Sequence, residues 1–283
     1  MDYSLNRIIA IPNWSFYDPG LCESARAILT KAGVRVHYCK GDIDHQRSVI
    51  AFSGDQRAVF GAMDALSDLL LPKIDLRIQL GVHPRIGALD VAPFVILEGY
   101  EFALIEATIE WSMSFSRRFR IPVRLYEKAA KPGNEHRLPY LRGQMGELRQ
   151  NPDFGDRSNM RIGTSVIGVR DFLLATNINL ASEDLATVKS VAKEIREGRE
   201  AGIEDLKGVR ALGFPLRSRH LTQLSLNLTD PNFTSFDTVL AIAKRMLDER
   251  DINIVETELI GVIRERDVAG AQHLTFDPSQ VVY

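Results

Sequence analysis

The chain has 283 residues, 45% of them hydrophobic and 25% charged, the composition of an ordinary globular protein with length enough for two compact units. A net charge of −2, from 35 basic and 37 acidic residues, lacks the basic field that nucleic-acid or membrane-surface binding requires; a small anionic substrate needs only a local arginine cluster or a helix N-terminus. Two cysteines, Cys22 and Cys39, without a C-x-x-C pattern, read as free thiols of a reducing compartment. The opening MDYSLNRIIAIPNW lacks a basic segment followed by a long apolar one, and the apolar runs break well before a bilayer-spanning length, so a cytoplasmic protein is expected.

In chain order, a strand is expected over 7–11, then a helix over 19–31 that begins at Pro19. Gly33 ends that helix ahead of a strand over 34–39, and a further strand runs over 47–53 to Gly54. Val59, Phe60, Met63, Leu66 and Leu70 recur at helical spacing and predict a helix over 55–71. A strand over 88–97, a helix over 100–118 and a strand over 122–126 follow. The stretch 128–163, rich in proline and glycine, reads as irregular with short helical pieces, and a long excursion of this kind is usually functional. Alternation resumes with a strand over 171–180 and a helix capped by Ser182 that runs to about 199. Strands over 209–214 and 221–228, a helix over 234–250 and a closing strand over 252–260 complete the chain.

The second half thus reads strand, helix, strand, strand, helix, strand, and the first half opens in the same order before adding a helix and a strand. The pattern predicts an α/β (α+β) chain of two ferredoxin-like split-βαβ subdomains side by side, 1–178 and 179–283, with helices on the outer faces and a ligand channel between them. The two halves share topology but no visible sequence repeat.

None of the six histidines forms H-x-x-x-H or H-E-x-x-H, and no G-x-S-x-G, Walker-type or strand-linked G-x-G-x-x-G motif occurs, so no metal is expected. His83 alone has a special context, GVHPRIGALD over 81–90. Gly81 and Gly87 bracket it, Pro84 restrains its backbone, and Arg85 and Asp90 follow. An imidazole there can move a proton near neutral pH, and a guanidinium can hold a carboxylate. A tight turn with a half-exposed histidine is the plainer alternative. A second cluster, DIDHQR over 42–47, offers Arg47 as a carboxylate ligand and His45 as a proton carrier, or is a solvated turn. Asn177 and Asn179 share one strand face, and Gln223, Ser225 and Asn227 share another. Two such polar stripes suit a cleft wall, or strands with one wet face.

GVHPRIGALDVAPF resembles the GEHPRMGALDVCPF signature of glutamate formiminotransferases. Matches continue in order: IPNWS at 11–15, HQRSV at 45–49, RLPYLRGQ at 137–144, PDFG at 152–155, FLLATNINL at 172–180, LKGVRALG at 206–213 and QLSLNLTD at 223–230. Single matches of this length are weak, but a series in the right order at similar spacing is specific.

The resemblance implies a stand-alone transferase of histidine breakdown. It would move a formimino group from N-formimino-L-glutamate to tetrahydrofolate, a co-substrate, with no metal, and work as a homodimer. It implies a catalytic role for His83, as base and then acid, with Asp90 orienting it. Arg47 and Arg85 become candidates for substrate carboxylates. The segment 155–163, with Gly155, Arg161 and Gly163, corresponds to the family's folate loop, and Asn177, Asn179, Gln223 and Asn227 become candidate ligand contacts. Phe16, Tyr17, Val82, Gln46, Tyr38 and Lys40 depart from the family pattern, so the core chemistry is kept while the substrate shell changes. A folate-binding relative with altered transfer, for example from a formyl donor, is the alternative.

Overall fold

The structure, a computed structural model, describes residues 6–133, 138–141, 151–156 and 160–283. His136, most of the 137–144 match and parts of the 128–163 excursion lie outside the described residues. The chain divides into two compact α+β units, Met1–Arg170 and Asp171–Tyr283. A boundary at 178 would cut a strand that belongs wholly to the second unit.

The first unit holds β1 (Arg7–Ala10), β2 (Asn13–Trp14), α1 (Pro19–Lys31), β3 (Arg35–Asp42), β4 (Arg47–Asp55), α2 (Gln56–Leu70), β5 (Leu89–Glu98), α3 (Glu101–Phe119), β6 (Val123–Glu127), the single turn α4 (Leu138–Leu141) and β7 (Ser165–Val169). β1 and β2 form one line of pairing between β4 and β5, interrupted at Pro12, which has no N–H to give. β3 lies outside β4, and β7 and then β6 continue the sheet beyond β5 in parallel pairing. One face is apolar: Ile8, Trp14, Phe52 and Phe94 meet Leu29 of α1, Met63 and Leu66 of α2 and Leu104 and Phe115 of α3, all buried in one cluster. Phe60 stacks on Trp111 with centroids 5.4 Å apart, which ties α2 to α3. The α1 N-terminus is closed by the Asp18 carboxylate, which accepts from Leu21 N at 3.0 Å, with Pro19 in the first turn.

The strand β7 is absent from the sequence reading, which ran the irregular segment to 163 and placed the next strand at 171–180. Its five residues, SVIGV, are all buried. A parallel strand covered on both faces has no apolar-polar alternation to reveal it.

The second unit holds β8 (Leu174–Leu180), α5 (Leu185–Glu200), β9 (Val209–Leu216), β10 (Leu221–Leu228), α6 (Phe236–Asp248) and β11 (Ile254–Ile260), with a short parallel pair, β12 (Ile263–Arg264) and β13 (Val281–Val282), after them. The sheet order is β11-β8-β10-β9, with the neighbours antiparallel. Ile178, Leu224, Leu226 and Leu259 meet Val188, Val191 and Ile195 of α5 and Val239 and Ala243 of α6. The cap of α5 is Asp184, not Ser182. The Asp184 carboxylate accepts from Ala186 N and Thr187 N, while the Ser182 hydroxyl accepts from Asp184 N and sets up the turn before it. Among the described residues no helix is long and apolar enough to cross a membrane.

Candidate active site

The 81–90 loop of the first unit is stitched down by its own residues. Arg85 lies inside it and donates to the carbonyls of His45 (2.9 Å), Gln46 (3.3 Å) and His83 (3.2 Å) and to Oε1 of Gln79 (3.0 Å). Burial pulls the Arg85 guanidinium below the usual arginine value, an effect that the charge of Asp90 opposes. Val82 N donates to the Asp44 carbonyl at 3.0 Å, and Gln46 Oε1 accepts from Leu80 N at 2.8 Å. A Cβ at Gly81 would run into the His45 carbonyl and the Arg85 guanidinium, and one at Gly87 into the carbonyl of Thr164. The two glycines therefore serve close approach of backbone to backbone. Ser15 Oγ holds the Gly87 carbonyl at 2.7 Å.

His83 is half-buried at the centre of this loop. Its Nδ1 lies 2.8 Å from the Pro84 carbonyl, and Arg47 Nη1 lies 2.6 Å from Nδ1 and 3.0 Å from Nε2. A carbonyl only accepts and a guanidinium only donates. Nδ1 cannot satisfy both, so the assignment that does has Nδ1–H on Pro84 and Nε2 accepting from Arg47. Arg47 opens β4, and its Nε and Nη2 grip Oδ1 of Asn13 at 3.0 and 2.7 Å. Its Nη1 is also 3.5 Å from Oδ2 of Asp90, whose side chain is 1% exposed. The other oxygen of Asp90 accepts from Ile86 N at 2.8 Å, which closes the loop onto the head of β5. The His45 ring stands beside His83 with centroids 5.7 Å apart.

The structure thus brings His83, Arg47, Arg85 and Asp90 together. Arg85 holds the carbonyls of His45, Gln46 and His83 and the side chain of Gln79, and Arg47 contacts His83, Asn13 and Asp90. Gly163 (φ +64°) joins the same group through a bridge to Gly87, with Thr164 N on the Ile86 carbonyl at 2.8 Å. Arg161 donates to the Leu71 and Pro72 carbonyls at 3.2 and 2.7 Å, and its own carbonyl receives Leu76 N. Gly155 turns with φ +77° against Ser116 and Pro122, next to Asp153, which pairs with Arg124 at 3.2 Å.

Asn177, Asn179, Gln223 and Asn227 belong to the second unit, on the sheet face opposite its helices. Asn177 Nδ2 donates to Glu258 at 3.1 Å, Asn179 Nδ2 to Glu256 at 2.8 Å, and Gln223 Nε2 to Asn179 Oδ1 at 2.8 Å. Asn227 lies on the same face, opposite Ala175. Sequence reasoning missed Glu256 and Glu258. The alternation in VETEL of β11 was the available signal. It also left Asn13 as part of a motif without a role. Among the described residues no group of three or more His, Cys, Asp or Glu side chains is placed to hold a metal ion.

Two α+β units, the first with an imidazole, guanidinium groups and a buried carboxylate gathered at one glycine-bracketed loop, define a two-subdomain protein. Residues 10–170 match the formiminotransferase domain, N-terminal subdomain, and residues 175–277 match the formiminotransferase domain. The chain belongs to this formiminotransferase-domain family. It is 30% identical over 258 residues to a glutamate formimidoyltransferase of Thermoplasma acidophilum, covering 85% of this chain and 82% of that protein. A protein of the same name from Streptococcus pyogenes serotype M1 is 29% identical over 257 residues, covering 86% of this chain and 82% of its own length. The formimidoyltransferase-cyclodeaminase of Rattus norvegicus is 32% identical over 232 residues, 77% of this chain and 42% of that longer protein.

Proposed function

We propose that the protein transfers the formimino group of N-formimino-L-glutamate to tetrahydrofolate, giving 5-formiminotetrahydrofolate and L-glutamate. The observation that carries this reading is the contact of Arg47 with His83. A guanidinium only donates, so the ring nitrogen that faces it accepts, and a ring nitrogen with its lone pair available is what a histidine needs to act as a base. N5 of the pterin attacks the amidine carbon, and the bond from that carbon to the glutamate nitrogen breaks. His83 takes the proton that N5 loses, through Nε2 once the substrate displaces the Arg47 N–H, and returns it to the departing nitrogen. Asp90 offsets part of the positive charge while the ring is protonated. Arg85 acts on the shape of the loop.

In this reading Gly155, Arg161 and Gly163 shape the folate side, and Asn177, Asn179, Gln223 and Asn227 contribute to substrate binding. The strand order of the second unit, with two crossing helices on one face, supports a split-βαβ, ferredoxin-like description. The first unit fits the same scheme with β7 and β6 added.

The test is one assay with tetrahydrofolate and N-formimino-L-glutamate, in which the folate product is followed by absorbance. The wild type is expected to turn over, and His83→Ala to lose at least a hundredfold in kcat while folate affinity is kept. Near-normal turnover by His83→Ala would remove the histidine from the mechanism. No product with the formimino donor, and product with N-formyl-L-glutamate, would replace the donor.

A further inference from the structure

The two glutamates of β11 stand in different company. Glu256 receives Arg219 Nη2 at 2.6 Å as well as the Asn179 amide, so a cation matches its charge. Glu258, two residues on and half-buried, makes no ion pair among the described residues. Its Oε1 is held by two neutral amides, Asn177 Nδ2 at 3.1 Å and Gln223 Nε2 at 3.3 Å. Register places Ser225, Asn177 and Glu258 in one row across β10, β8 and β11, on the face opposite the helices.

Two acceptors in that row stay open: Asn177 is 8% exposed, and among the described residues neither its Oδ1 nor Oε2 of Glu258 accepts a hydrogen bond. A carboxylate has about four lone-pair positions, and here the amides fill those of one oxygen only. The complement of a fixed carboxylate beside an amide carbonyl is a planar group with parallel N–H donors.

We infer that Glu258, with Asn177, forms a binding subsite for an amidine-type N–C–N edge. This rests on the formimino-transfer reading, because both substrates it names carry such an edge: the N–CH=NH group of the donor and the 2-amino-4-oxopyrimidine ring of the pterin. The shared chemistry fits the subsite, and experiment separates the two sources.

The experiment is calorimetric binding to the full chain, wild type and Glu258→Gln, with tetrahydropterin and N-formimino-L-glutamate titrated separately. Gln keeps the shape but removes the charge. The expected result is at least a tenfold loss of affinity for one ligand with the other unchanged, and the ligand that is lost names the source. Equal affinities in both proteins, or binding of neither ligand by the wild type, overturns the subsite. If Glu258→Gln does not fold, Asn177→Ala carries the same expectation at about threefold, and no change in it overturns the subsite equally. A wild type that binds in a Glu258-dependent way but forms no folate product would sink the transfer reading and leave the subsite standing.

Discussion

Arg47 meets His83 and Asp90 with the same nitrogen: Nη1 lies 3.0 Å from Nε2 of the ring and 3.5 Å from Oδ2 of the carboxylate. The rest of its fork is fixed on Asn13. The ring, the guanidinium and the carboxylate therefore form one unit, in which the orientation of the imidazole depends on a strand residue 36 positions earlier in the chain. Asp90 is buried and ties the far end of the loop through Ile86 N, so the unit is anchored at both ends of the 81–90 segment.

Replacing Arg47 by lysine keeps the charge and removes the fork. An ammonium cannot grip Asn13 Oδ1 with two N–H groups while reaching both the ring and Asp90. The expected outcome is a loss of roughly tenfold to a hundredfold in kcat with modest change in the KM for either substrate, since a misplaced base slows chemistry more than binding. Steady-state kinetics with each substrate varied in turn checks this. A large rise in the donor KM at unchanged kcat would return Arg47 to the role of carboxylate clamp.

Gly87 is placed where a side chain has no room. A Cβ there would press on the carbonyl oxygens of Thr164 and Leu89, both of them backbone. Gly87→Ala is expected to destabilise the first unit by about 1–3 kcal/mol, as other over-packed sites do. It is also expected to weaken the bridge to Gly163. Urea unfolding gives the first quantity, and amide exchange at Ala88 and Thr164, which donate to Ile162 and Ile86, gives the second.

Asp153 and Arg124 form an ion pair whose side chains are 4% and 6% exposed. Asp153 also accepts from Leu125 N at 2.9 Å, so the PDFG turn is fastened to β6 by side chain as well as by the Val123–Phe154 bridge. Asp153→Ala leaves a buried guanidinium without its carboxylate and is expected to cost about 3 kcal/mol or more in denaturant unfolding. A cost below 1 kcal/mol would mean that water or rearrangement relieves the charge.

Much of the fold was legible because periodicity reports which face of an element is buried. Helix α1 is found at the expected residues, and the alternation of Asn177 and Asn179 with Ile178 and Leu180 placed the amides on the face away from the core. What lies across from a face is set by tertiary register, and alternation is silent about that. The carboxylates opposite those amides come from β11, 77 and 81 positions along the chain. The same limit holds for the arginines: residue type does not reveal that Arg85 reaches the carbonyls of His45 and Gln46 on a neighbouring loop as well as His83 and Gln79. The missing β7 has a different cause, since burial on both sides erases the pattern that marks a strand.

Glu256 supplies a prediction in pH. The Asn179 amide and then Arg219 hold its carboxyl below the usual glutamate value of 4.5. A carboxyl whose folded value is depressed stabilises the fold fully above its unfolded value and loses that contribution as pH falls through the folded value. The stability difference between wild type and Glu256→Gln is therefore expected to be constant from pH 7 to about 5 and to shrink below pH 4.5. The side chain is 44% exposed, so solvent and salt screen the pair and keep the difference small. Urea midpoints of the two proteins at pH 7 and pH 3.5, at low and high salt, measure it. A difference that grows on acidification would reverse the sign and show that the ionised carboxylate is a burden on this face of the sheet.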